Sequence, residues 1–153
     1  MSRQLRAEVE VEASPARVWE VLTDFAAYRQ WNPFIVEGAG QAVPGGRLEL
    51  QLRLPGRRPM ALRPEVLEAE PDRRLRWLGR LLVPGLFDGE HSFSLEPAGP
   101  GRVRVVQQEE FRGLAARPIL AVIGEPTLAG FRQMNQALKA RVEQPTHTHT
   151  QTP

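Results

Sequence analysis

His91 lies in the run Gly89-Glu90-His91-Ser92-Phe93, where strand alternation sets Phe87, Gly89, His91, Phe93 and Leu95 on one face and Asp88, Glu90, Ser92 and Ser94 on the other. The first set is apolar apart from the histidine, so His91 points inward. In Arg102–Phe111, arginines 102 and 104 belong in water, which turns Val103, Val105, Gln107, Glu109 and Phe111 inward. The turn Pro97-Ala98-Gly99-Pro100-Gly101 folds these two strands together and brings His91 opposite Gln107 or Glu109. The two registers differ by two residues, so either keeps the pair on one face. An inward imidazole oriented by a carboxylate or an amide is equipped for general acid–base chemistry. The same pair serves equally as a satisfied buried histidine or as an anchor for a ligand carbonyl. His91 and Glu109 are therefore the candidate catalytic residues, with both roles open at this level.

Other chemistry finds little support. His147 and His149 alternate in a polar C-terminal stretch that gives no selective metal geometry, and the chain has no cysteine, so neither a metal nor a cofactor is expected. Gly38, Gly40, Gly45 and Gly46 lack the strand-to-helix setting that a phosphate-binding loop needs. Ser14, followed by Pro15, reads as a helix cap and not as a nucleophile. Lys and Arg number 20 against 18 Asp and Glu, and the basic residues, with Lys139 the sole lysine, are dispersed among glutamates. That pattern is a solvated surface and argues against a nucleic-acid partner. No apolar run reaches the ~18–20 residues that span a bilayer, so any membrane contact would be peripheral. The first residues lack the apolar segment of a secretory signal, and with no cysteine a reducing cytoplasm is the expected location.

The elements that must position these residues follow from periodicity. Leu5, Ala7, Val9 and Val11 alternate with Arg6, Glu8, Glu10 and Glu12, the pattern of a strand with one wet face. Val18, Val21, Leu22 and Phe25 then repeat at helical spacing, and Pro33 ends a second short helix at Asn32. From Phe34 to Phe111, turn residues recur at intervals suited to an antiparallel meander, with Leu48, Leu50, Leu52 and Leu54 inward on one strand and Leu75, Trp77, Gly79 and Leu81 on another. A long helix is expected to begin at Pro126 and to carry Leu128, Phe131, Met134, Asn135, Leu138 and Val142. Residues 1–144 read as one domain and 145–153 as a flexible tail.

This order, opened by a Ser14-Pro15 helix and the segment Asp24-Phe25-Ala26-Ala27-Tyr28-Arg29-Gln30-Trp31-Asn32-Pro33-Phe34, resembles the SRPBCC or START-like helix-grip superfamily over residues 3–143. Gly89-Glu90-His91-Ser92-Phe93 is similar to a strand of its polyketide cyclase/dehydrase-like branch. The resemblance implies an α+β fold in which a curved antiparallel sheet of six or seven strands wraps a long C-terminal helix, with two short helices after the first strand. It also implies an internal cavity for a hydrophobic or amphipathic small molecule such as a lipid, quinone or polyketide-like compound. Tyr28, Trp31 and Asn32 would lie near its mouth, and Met60, Trp77, His91, Phe93, Val105, Gln107 and Phe131 would line it. A binding module is the primary reading. A cyclase or dehydratase-type enzyme using His91 as acid or base is the second, and a protein-interaction domain like the chaperone-regulating relatives is the third.

Overall fold

The structure, a computed structural model, describes residues 3–81 and 83–144. The 145–153 tail lies outside the described residues. Strand β1 (Arg3–Val11) is followed by helix α1 (Pro15–Thr23) and a 3-10 helix (Phe25–Gln30), then by seven strands: β2 (Ile35–Ala39), β3 (Glu49–Leu52), β4 (Met60–Leu62), β5 (Glu65–Glu70), β6 (Arg74–Leu81), β7 (Phe87–Pro97) and β8 (Val103–Arg112). Helix α2 (Ala116–Glu143) closes the fold. All strand pairs are antiparallel, and the helix-grip order is present.

The sheet is divided where the sequence implied a single sheet of six or seven strands. Strands β1-β8-β7-β6-β5 form one sheet and β2-β3-β4 a second, so eight strands are present among the described residues. The break falls at Arg63-Pro64, where β4 becomes β5. Pro64 has no N–H for a ladder, although its carbonyl still accepts from Leu48 N at 2.9 Å. One bridge, Arg47 to Glu65, joins the two sheets across this seam.

Local chemistry accounts for the short helices. The Ser14 side chain accepts from Arg17 N at 3.2 Å as the cap of α1. The inward stripe Val18, Val21 and Leu22 is buried in the main core, where α1 lies against α2. The Tyr28 hydroxyl donates to the Leu22 carbonyl and locks α1 to the 3-10 helix. Burial, with the nearby Asp24 charge second, pushes the Tyr28 phenol well above its usual pKa.

Helix α2 corrects the expected start at Pro126. It runs for 28 residues from Ala116, with Pro126 inside it. A mid-helix proline costs on the order of 3 kcal/mol. Two features offset that cost here. The carbonyl that loses its partner belongs to Val122, a residue 61% exposed, so water can take the place of the missing N–H. Packing also continues on both sides of Pro126: Ala116, Ile119, Leu120 and Ile123 lie in a cluster with Phe87 and Phe111, while Phe131, Met134, Leu138 and Val142 join the main core.

The C-terminal turn of α2 is tied to the end of β1. Glu143 Oε2 accepts from Glu12 N at 2.8 Å and from Lys139 Nζ at 2.7 Å, while Lys139 Nζ also donates to Glu10 O at 3.0 Å. The Glu12 N–H first, and Lys139 second, hold the Glu143 carboxyl below the usual carboxylate range. A carboxyl with a depressed folded-state pKa stabilises above its unfolded value, and that contribution is lost as pH falls through the folded value. Glu143→Gln is therefore expected to lower stability at pH 7 by about 0.5 kcal/mol, as for a partly exposed pair. Thermal melts of both proteins should converge as pH drops below the carboxylate range. A gap of constant size would show that the carboxylate charge contributes nothing.

Candidate functional site

The register of β7 on β8 sets His91 opposite Glu109, and that of β6 on β7 sets Trp77 opposite His91. His91 Nδ1 lies 2.8 Å from Glu109 Oε1, and Gln107 Nε2 lies 3.2 Å from His91 Nε2. The imidazole thus meets both partners anticipated from the sequence, one at each nitrogen. A carboxylate only accepts and an amide nitrogen only donates, so this arrangement suits a neutral ring with its proton on Nδ1. Trp77 stacks on the ring at 5.0 Å and 12°, and Phe131 meets it edge-on at 5.0 Å. Gln107 is itself fully buried and also reaches Met134 Sδ at 3.4 Å, while its Oε1 has no partner among the described residues.

Beside this pair the interior opens. Around the C-terminal half of α2 the core is solid, with Phe93, Val105, Phe131, Met134 and Leu138 each at 0% exposure. Against the N-terminal half, an apolar cleft runs between Ile123 and Thr127 of α2, Phe34, the β3–β4 wall and the inner faces of β6, β7 and β8. Its outer part has room for water centres over about 60 Å³, and its inner recess, ending at Trp77 and His91, over about 30 Å³. Phe34, Leu52, Leu62, Gly79, Gly89 and Glu109 border both parts, which makes them one cleft. Glu109 sits at the seam with its side chain 17% exposed.

The expected ligand residues divide into three groups. Trp77 and His91 form the inner end, and Met60, 39% exposed, borders the outer part from β4. Phe93, Val105, Gln107 and Phe131 lie in the packed core behind the cleft. Tyr28, Trp31 and Asn32 are not among its lining residues: Tyr28 is tied to α1, Trp31 packs edge-on to Tyr28 at 5.2 Å, and Asn32 Oδ1 accepts from Phe34 N and Ile35 N at 2.9 and 2.8 Å, turning the chain into β2. Sequence reasoning missed Phe34, Leu62 and the directly paired Gly79 and Gly89 as cleft residues. Glycine inside a strand was the available signal, because it marks close approach of another group. A Cβ on Gly89 would overlap Glu109 Oε2, and one on Gly79 would lie 3.3 Å from Leu62.

Both ring nitrogens of His91 are engaged within the protein, and Glu109 Oε2 lies over Gly89 on the cleft side. The group presented to a ligand is thus the carboxylate, with His91 holding it in place. Among the described residues no group of three histidine, aspartate or glutamate side chains converges as for a metal ion. No helix of the described residues is long and apolar enough to cross a membrane.

A sheet gripping a long helix, with an apolar cleft at one end of their interface, is the START-like helix-grip fold. The family model described as "Polyketide cyclase / dehydrase and lipid transport" matches residues 2–143, and the chain belongs to that family. It is similar to a START superfamily protein from Mycobacterium smegmatis, at 22% identity over 92% of this chain and 97% of that one, with a TM-score of 0.69. The Zhui aromatase/cyclase from Streptomyces sp. R1128 is similar at 17% identity over 94% and 98% of the two chains, with a TM-score of 0.69. A hypothetical protein from Helicobacter pylori matches at 19% identity over 92% and 88%, with a TM-score of 0.76. At these identities the likeness is one of fold. The comparison with curated proteins gives no match.

Proposed function

We propose that this chain is a binding module, cytoplasmic in location, for a hydrophobic or amphipathic small molecule of lipid, quinone or polyketide-like type, held in the cleft between α2 and the sheet. The observation that carries this reading is the uneven core: it is filled around one half of α2 and hollow against the other, where apolar walls meet a single carboxylate. The closed cleft is smaller than the ~300–1,000 Å³ of ordinary ligand pockets, so a ligand must displace a wall. The β3–β4 hairpin is the wall suited to move, because among the described residues β4 is a three-residue edge strand paired only with β3. Titration with the neutral dye Nile red should show saturable enhancement at one site per chain. Gly79→Val, which fills the cleft floor, should abolish it while the protein remains folded by thermal melting. A linear, unsaturable response from the folded wild type would overturn the reading.

A second reading, a cyclase or dehydratase-type reaction, draws support from the 2.8 Å contact between His91 and Glu109 at the recess. A carboxylate oriented at the wall of a water-poor cleft is suited to take a proton from a bound carbon or hydroxyl acid. In this arrangement Glu109 Oε2 would transfer the proton and His91 would orient the carboxylate, which exchanges the roles anticipated from the sequence.

A further inference from the structure

The outer face of the seam between the two sheets carries a cationic recess, separate from the cleft. Arg47, Arg63 and Arg80, with Glu65 and Leu78, line it, and it has room for water centres over about 100 Å³. Gly79 and Leu81 border the cleft, so alternation along β6 turns Arg80 to the opposite side of the sheet. The strand register explains the grouping. Arg47 bridges to Glu65, and Glu65 pairs with Leu78, which sets these three in one row across the seam. Two residues further along, the same register places Arg63 between Glu49 and Arg80. Glu49 holds Arg63 only loosely, at 3.5 Å with both side chains about two-thirds exposed, and Arg80 has no ion pair among the described residues. Like charges facing each other across a sheet are destabilising, so Arg63 opposite Arg80 is a cost that an anion between them would remove. Arg47 Nη1 donates to the Arg63 carbonyl at 3.2 Å, which carries its guanidinium across the seam and holds it at the recess.

We propose that this recess binds the phosphate or diphosphate group of a small soluble molecule, and that the bound group clamps the β3–β4 hairpin to the five-stranded sheet. Guanidinium groups present forked N–H donors that match phosphate oxygens, and three of them outweigh the one carboxylate, Glu65, that shares the recess. The clamp follows from where the arginines sit. Arg47 lies on the chain entering β3 and Arg63 on the chain leaving β4, whereas Arg80 belongs to β6 of the other sheet. An anion held by all three therefore ties both ends of the hairpin to β6, at a seam that a single bridge joins among the described residues. That hairpin is the wall proposed above to move, so the same anion restrains entry to the cleft. This consequence rests on the binding role; the anion site does not.

The test is a calorimetric titration of pyrophosphate at pH 7, in low-salt buffer free of divalent metal, into the wild type, Arg80→Gln, Glu65→Gln and Arg102→Gln. Arg102 is an exposed arginine of the β7–β8 turn and serves as the control. The wild type is expected to bind one pyrophosphate per chain. Arg80→Gln should weaken binding about tenfold, the loss of a charge-assisted hydrogen bond, and Arg102→Gln should leave it unchanged. Glu65→Gln should tighten it, because a like charge beside the anion is removed. Equal weakening in Arg80→Gln and Arg102→Gln would show a response to net charge alone and overturn the site, as would an unsaturable titration of the wild type. Binding to vesicles of phosphatidic acid without binding of pyrophosphate would assign the arginines to a lipid surface and overturn the proposal. Saturating pyrophosphate should also slow amide hydrogen exchange over residues 49–62 in the wild type and not in Arg80→Gln. Saturable binding with unchanged exchange there would overturn the clamp. None of these readouts involves Nile red, so failure of the cleft's binding role and failure of this site are told apart.

Discussion

Glu109→Gln is expected to lower kcat by about 10²–10⁴-fold for any proton-transfer reaction carried out in this cleft, the range associated with losing a general acid or base. His91→Ala is expected to lower it by a smaller factor. The difference is one of geometry. Glu109 presents a free oxygen to the cleft, whereas both nitrogens of His91 are occupied, by Glu109 at 2.8 Å and by Gln107 at 3.2 Å. Removing the imidazole releases the carboxylate from its orientation but leaves the base itself in place. The reverse order, with a larger loss in His91→Ala than in Glu109→Gln, would return the proton-transferring role to the histidine. Unchanged turnover in both variants would remove the pair from the chemistry.

Phe131→Ala is expected to lower stability by about 3–5 kcal/mol, the cost of truncating a buried aromatic when its surroundings relax only in part. Against a total of roughly 5–15 kcal/mol this is a large fraction, and the melting temperature should fall by roughly 10 °C or more. Phe131 is fully buried, edge-on to Phe34 at 5.6 Å and to His91 at 5.0 Å. Those two neighbours border the inner recess, so the space vacated adjoins the cleft. The same variant should therefore bind Nile red more tightly than the wild type while being less stable. Denaturant melts and dye titrations on one preparation test both signs together. A loss of stability with no gain in binding would show that the solid half of the core stays closed to the cleft.

Much of this protein was legible along the chain because a side chain's face is a local property. The alternation in β1, β7 and β8 placed Val9, His91 and Val105 inward, and Ser14-Pro15 marked the start of α1, since each of these depends only on backbone period or on a cap within one turn. The constellation of His91 with Gln107 and Glu109 was legible for the same reason: a two-residue change of register cannot move a side chain to the other face.

Other features were decided by partners distant in sequence. Pro126 is a local stop signal, and α2 continues through it because packing on both sides outweighs the loss of one hydrogen bond. Pro64 falls between β4 and β5, where only the bridge from Arg47, ahead of β3, to Glu65 joins the two sheets among the described residues. The place where the core is hollow is the least local feature of all, being a shortfall of volume among residues from several elements. Phe93, Val105 and Phe131 are as apolar as Phe34 and Leu62, yet the first three fill space and the last two border it. Which residues face inward, the helix-grip order and the polar trio on the inner face were all written into the linear pattern. That Glu109 opens to the cleft while His91 is closed off behind it came from the folded packing alone, because the distinction rests on how Gly89, Gln107 and the rings of Trp77 and Phe131 fill the space around one imidazole.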